Sequence, residues 1–199
     1  GLTEKAGEER CRKIRGIAIS SHTVTMLPLD GNRRPLRNAL TCQDGRSAKE
    51  MHRIVRTMGL EHFVSTVGGQ PAVAFLPNKI EWFRRHEPEL FARTRYYIQA
   101  SSYINMKLTG VMVTDIDQAT RTQCWDINTM DWSHEIGNII GVDFHEAMPP
   151  VKEVDDIIGT VTGEAAKITG LPVGIAVTAG SSDALASMYA MGMNRLGDA

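Results

Sequence analysis

The sequence predicts an α/β domain: a mixed, partly parallel sheet with helices on both faces. Three observations lead there. Short β-like runs alternate with amphipathic helical patterns along the chain. The run at 172–178 lies between helical patterns at 163–169 and 182–193. Finally, 199 residues with 42% hydrophobic and 23% charged side chains can bury on the order of 70% of their unfolded surface, enough for a core without staples. No repeat and no low-complexity tract interrupts the chain, which reads as one mixed globular unit.

Residues 1–13 are charged and lack a β-branched run, as the tail of a helix would be. Residues 14–20, Ile-Arg-Gly-Ile-Ala-Ile-Ser, read as a short buried strand, and residues 24–29 as its hairpin partner. Asp30-Gly31-Asn32 supplies turn chemistry. Ser47 is a candidate N-cap for a helix over 48–58, where Met51, Ile54, Val55 and Met58 fall on one face and Gly59 stops it. A second helix is expected over 78–86, with Ile80 and Phe83 on one side and Lys79 and Trp82 on another, ended by Glu87-Pro88. A third covers 101–108 before Thr109-Gly110, and another helical pattern covers 132–140. His52 is expected in solvent.

Charge and cysteine content narrow the function classes. With 22 basic against 23 acidic residues, the formal charge of −1 provides no broad field for nucleic acid or an anionic membrane. No apolar run approaches the roughly 20 residues needed to cross a bilayer, and the first residues show no signal-peptide pattern. Cys11, Cys42 and Cys124 are odd in number and widely spaced, which suits free thiols in a reducing cytoplasm.

Few local motifs carry chemistry. The three His-Glu pairs, at 86–87, 134–135 and 145–146, lack the second histidine that a zinc-protease helix needs, so no metal site is expected. Gly68-Gly69 reads as a turn, since neither GxGxxG nor GxxxxGK[ST] occurs. Ala179-Gly180-Ser181-Ser182-Asp183-Ala184 says more. It follows a strand-like run and opens a helix, which puts Asp183 at a strand's carboxyl end and in a first helical turn, where an ionised carboxylate is favoured. Such a group can take a proton from a hydroxyl, or it can be an ordinary first-turn acid. Cys42-Gln43-Asp44-Gly45-Arg46 is a polar turn whose Asp44 and Arg46 can grip hydroxyls or each other.

In this order the segments resemble the first domain of the FGGY carbohydrate kinases, nearest the xylulose kinase branch. Residues 17–24 followed by Leu27-Pro28-Leu29-Asp30 resemble the family's strand, sugar-contacting turn and second strand, and residues 42–46 resemble its Trp-Asn-Asp-Gly-Arg turn. Lys79-Ile80-Glu81-Trp82-Phe83 with Glu87-Pro88-Glu89-Leu90-Phe91 resembles the family signature, and Leu108-Thr109-Gly110 with Thr114-Asp115 the next segment. Gly159-Thr160-Val161-Thr162 through Gly180-Ser181-Ser182-Asp183 resembles the run into the catalytic aspartate. The similarity spans about residues 14–197.

The resemblance implies an actin-like, ribonuclease-H-like α/β fold, and two such domains closing over a sugar and Mg-ATP. Asp183 would be the general base, and His22, Thr23, Val24, Asp44 and Ala184 would bind substrate, a pentulose by analogy. Four positions depart from the family pattern. Val24 stands where xylulose kinases place a sugar-binding His, Cys42 replaces a Trp, Ala184 replaces an Asn or Gln, and Leu76 replaces a small residue or proline. The family's Asp-x-Gly-Thr phosphate hairpin and its second, adenosine-binding domain have no counterpart in the 199 residues. The expectation is therefore an incomplete N-terminal domain over 1–199, inactive alone. The missing second domain would be its partner, and a second copy could pair on an open sheet edge. The competing expectation is a non-catalytic sugar-binding or scaffolding module derived from a kinase domain.

Overall fold

The computed structural model describes residues 2–193, 195 and 197. Where the sequence reads as one globular unit, the chain divides into two compact ones. The first comprises Gly1–Ser21, Ser101–Ile116 and Pro150–Ala199, the second His22–Ala100 and Asp117–Pro149.

The first unit is built on a mixed three-stranded sheet. Gly16–Ile17 runs parallel to Ala176–Thr178, with Gly16 opposite Ala176, and Ala176–Thr178 pairs antiparallel with Ile157–Thr160 on its other side. Two short parallel pairs extend this pattern, Ser20–Ser21 with Ser181–Ser182 and Thr114–Asp115 with Val151–Lys152. Val161, Ala165, Ile175, Val177 and Leu108 form the core, with Ile14, Ile17, Ile19, Ile158 and Leu171 packed against it. The Gly163–Thr169 helix forms as its sequence predicts. Thr162 accepts the Ala165 N–H, and Gly170 closes the other end in the left-handed conformation at φ 72°.

The strand expected over 14–20 is broken into two, and Gly180 shows why. Its φ of 86° bends the partner segment between Ala176–Thr178 and Ser181–Ser182, and a Cβ there would sit 2.3 Å from the Ile19 carbonyl oxygen. Only glycine permits this approach, and both paired segments break where it occurs.

In the second unit the expected hairpin partner pairs elsewhere. Leu27–Leu29 is buried on every residue and lies antiparallel to Tyr96–Ile98. Trp125–Asp126 and Asp131–Trp132 form a short hairpin with the two indoles edge to face at 5.1 Å. Three helices, Ala48–Met58, Leu76–His86 and His134–Ile140, pack on one another. The first keeps its predicted bounds, but the Ser47 hydroxyl does not cap it and instead donates to the Val73 carbonyl at 3.0 Å. Gly59 ends that helix and directly opens another, Leu60–Val67, which sequence reading stopped short of. The Leu76–His86 helix starts two residues early, with Pro77 in its first turn. It is buried from Leu76 through Glu81, so Lys79 is not on an exposed side. His52 is exposed, as expected.

Candidate functional site

Asp183 opens the Asp183–Ala190 helix directly after the Ser181–Ser182 strand. Ser182 is the N-cap; its hydroxyl accepts the Leu185 N–H at 3.1 Å and is fully buried. Asp183 itself is exposed. Its Oδ1 accepts the Ala184 N–H at 2.8 Å, which fixes the carboxylate at the amino end of the helix. Ala184 is exposed beside it. The Ser187 hydroxyl donates to the Asp183 carbonyl at 2.7 Å and tightens the first turn. A carboxylate presented in this way can accept a proton from a hydroxyl brought to it.

The second unit carries the other residues the sequence singles out. His22 is exposed, and its Nε2 shares a short hydrogen bond with the Thr25 hydroxyl. Thr23 is half-buried. Val24 is only 5% exposed, so its isopropyl group belongs to the interior of this unit. In the neighbouring turn Asp44 and Arg46 grip each other: Asp44 Oδ1 accepts the Arg46 Nε–H at 2.8 Å and the Arg46 backbone N–H at 3.2 Å. The Arg46 guanidinium lies 4.7 Å from the centroid of Trp82, and Trp82 stacks on His86 at 4.8 Å. Cys42 is exposed, and all three cysteines are free.

Two buried side chains hold these turns: Lys79, which the sequence places in the signature segment without a role, and Gln99, which it does not mark. Lys79 is completely buried, and its Nζ donates to the carbonyls of Val24 at 2.6 Å and Thr41 at 2.7 Å. Gln99, also buried, accepts the Val24 N–H. Burial lowers the Lys79 pKa from 10.5 to about 8, while the charges of Asp44 and Cys42 pull it back up. Lys79 opens the segment that resembles the family signature, but nothing local shows that its ammonium serves two turns far from it in sequence.

Among the described residues no group of His, Cys, Asp or Glu comes together to hold a metal. Gly68 closes the Leu60–Val67 helix at φ 71°, in the left-handed conformation of a helix stop. No described helix is long and apolar enough to cross a membrane. A cavity of about 410 Å³ opens in the first unit among Thr3, Cys11, Arg12, Ala166, Leu171 and Pro172, which are none of the candidate residues.

Comparison with known proteins supplies the family. The model of the N-terminal domain of the FGGY family of carbohydrate kinases matches residues 3–190. A xylulose kinase of Bacillus subtilis (strain 168) is 30% identical over 174 residues, covering 87% of this chain and 34% of that protein. An L-fuculokinase of Escherichia coli (strain K12) is 31% identical over 180 residues, covering 90% of this chain and 38% of that protein. The crystal structure of a xylulose kinase from Rhodospirillum rubrum superposes with a TM-score of 0.92 at 30% identity, covering 98% of this chain and 40% of that one. The chain thus spans between about a third and two fifths of the length of these relatives. Its fold is the actin-like ATPase fold of the FGGY sugar kinases, with the mixed sheet and flanking helices expected of it. With the family model covering nearly every residue, the chain belongs to the FGGY family of carbohydrate kinases, in its N-terminal domain.

Proposed function

We propose that this chain is the sugar-recognising part of the first domain of an ATP-dependent kinase, xylulose kinase-like in its substrate, with Asp183 as general base. The observation that carries the reading is the placement of Asp183: solvent-facing, directly after a strand, with one carboxylate oxygen tied to its own helix. As the sugar hydroxyl oxygen bonds to the γ-phosphorus of ATP and the bond from that phosphorus to the bridging oxygen breaks, releasing ADP, the hydroxyl proton would pass to the Asp183 carboxylate, whose other oxygen is held by the helix. Mg-ATP is the donor this reading implies, and a second kinase domain is the partner that would hold it.

Sugar contacts on the second unit fall to His22, Thr23 and Asp44, whose polar atoms are at or near the surface. Val24, buried with both backbone groups engaged, supports the turn instead of pairing a hydroxyl. Ala184 offers a methyl group where the family offers an amide, which favours an acceptor that presents fewer hydroxyls at that point. Free thiols in all three cysteines suit a reducing cytoplasm.

Thermal unfolding of the 199-residue chain tests the division of labour. D-xylulose should raise the midpoint and Mg-ATP should not, since only ligands that prefer the folded state stabilise it. No ATP-dependent phosphorylation of D-xylulose should be detectable with the chain alone. Stabilisation by nucleotide without sugar, or turnover by the isolated chain, would overturn the assignment. A second reading, a sugar-binding module without catalysis, draws on the apolar side chains at Val24 and Ala184. It predicts the same thermal shift but no consequence of replacing Asp183.

A further inference from the structure

Two buried side chains converge on the backbone of Val24. Its φ is 55°, in the left-handed region that a β-branched residue avoids. Gln99 Oε1 accepts the Val24 N–H at 2.9 Å, and Gln99 Nε2 donates to the Gln118 carbonyl at 3.1 Å, which fixes the amide's orientation. On the other side Lys79 Nζ donates to the Val24 carbonyl at 2.6 Å and to the Thr41 carbonyl at 2.7 Å. Thr41 immediately precedes the Cys42–Arg46 turn, and Val24 lies within the His22–Thr25 turn. A single ammonium thus joins both turns by their main chain.

The chemistry suits a lysine. An ammonium is a compact head with three donors on a long apolar stem, so one atom can serve carbonyls from two separate loops. A side chain without donors would leave the buried Val24 carbonyl without that partner and cut its tie to the Thr41 carbonyl. Strained backbone persists only where its surroundings over-determine it, and here the N–H and the carbonyl of the strained residue are each taken by a buried side chain.

We infer that Lys79 is a positioning residue which, with Gln99, holds Val24 in the left-handed conformation and fixes the two turns that meet the sugar. The link to sugar rests on the function proposed above; the link to Val24 rests on the geometry alone. Lys79 acts only through main-chain carbonyls in this account and touches no substrate.

The test uses the 199-residue chain in four forms: wild type, Lys79→Met, Val24→Gly and the double variant. Val24 backbone chemical shifts are read by NMR, and D-xylulose affinity by titration calorimetry. Without the clamp, the strain at Val24 leaves about one molecule in ten competent, so Lys79→Met should lower affinity about tenfold and move the Val24 signals toward extended values. Glycine adopts positive φ freely, so in the Val24→Gly background the same substitution should cost less than about threefold. Unchanged Val24 signals in Lys79→Met would overturn the inference. So would a tenfold loss that persists undiminished in the glycine background, which is what a merely structural lysine would give. If Lys79→Met does not fold, Lys79→Gln is read in the same way, with Lys79→Arg expected to retain both signals and affinity. A wild-type chain that binds no D-xylulose defeats the sugar reading, and the Val24 signals then decide the clamp by themselves.

Discussion

Gly180 and Gly174 share a left-handed φ, 86° and 87°, and differ in what a side chain would meet. At Gly174 a Cβ finds nothing within 4 Å, whereas at Gly180 it strikes the Ile19 backbone at 2.3 Å. Gly174→Ala should therefore cost only the conformational penalty, about 1–2 kcal/mol. Gly180→Ala must also push apart the Ser20–Ser21 and Ser181–Ser182 pair, and should cost more than about 3 kcal/mol in urea unfolding. Equal costs would mean that the close approach is not rigid. Lys79 makes a prediction of opposite character. Its folded pKa of about 8 lies below the ordinary 10.5, so between those values the unfolded chain binds a proton that the folded chain has lost. This group therefore adds stability as pH rises through that window, and its buried charge costs stability below it. Tyr97, whose phenol burial pushes up, works in the opposite direction above pH 10. Comparison with Lys79→Met removes that background: wild type should gain on the variant between about pH 8 and 10. A constant difference across the range would show that the ammonium is not desolvated. A cost of this kind at neutral pH fits a residue kept for the geometry of a turn and not for stability.

Among the elements, the three packed helices of the second unit are stapled by one carboxylate. Glu81, fully buried on Leu76–His86, meets Arg53 of Ala48–Met58 at 2.9 Å and its own helix neighbours Arg84 and Arg85 at 2.8 and 2.7 Å. Arg53 also donates to the Ile139 carbonyl on His134–Ile140 at 3.2 Å. Burial alone would raise the Glu81 pKa, but hydrogen bonds from Arg84 and Arg85 and the charge of Arg53 hold it below 4.5. Glu81→Gln should destabilise by roughly 2–4 kcal/mol at pH 7, since it leaves three guanidinium groups facing a neutral amide. Because the folded pKa is depressed, that contribution is full above the unfolded value and fades as pH falls through the folded one. The gap between wild type and variant should therefore narrow below pH 4.5; a gap that stays constant would mean the carboxylate is not ionised in the network. Helices of this kind were legible where one face stays polar: 48–58 and 163–169 were located to the residue. The Leu76–His86 helix extends two residues before the expected 78–86, because its first half is buried all round and erases the 3.6-residue signal. Leu27–Leu29 pairs with Tyr96–Ile98 and not with the 14–20 segment, and because that partner lies far along the chain it leaves no local trace. The same distance hid the clamp, since nothing beside Val24 announces Lys79 or Gln99.

For the molecule as a whole, the family was visible in the order of short motifs, and the domain model confirms it over residues 3–190. The division into two compact units was not, because no composition shift marks the points where the chain passes from one to the other. Each unit carries its own part of the proposed chemistry: Asp183 and Ala184 on the first, His22, Thr23 and Asp44 on the second. The central claim, Asp183 as the base, is tested most directly by turnover of a kinase that joins this chain to both a phosphate-binding hairpin and a nucleotide-binding second domain. Asp183→Asn keeps the size and the first-turn acceptor but removes the proton acceptor. It should lower kcat roughly a hundred- to ten-thousand-fold while leaving the KM for D-xylulose within about threefold of wild type. A kcat near that of the wild type would contradict the account.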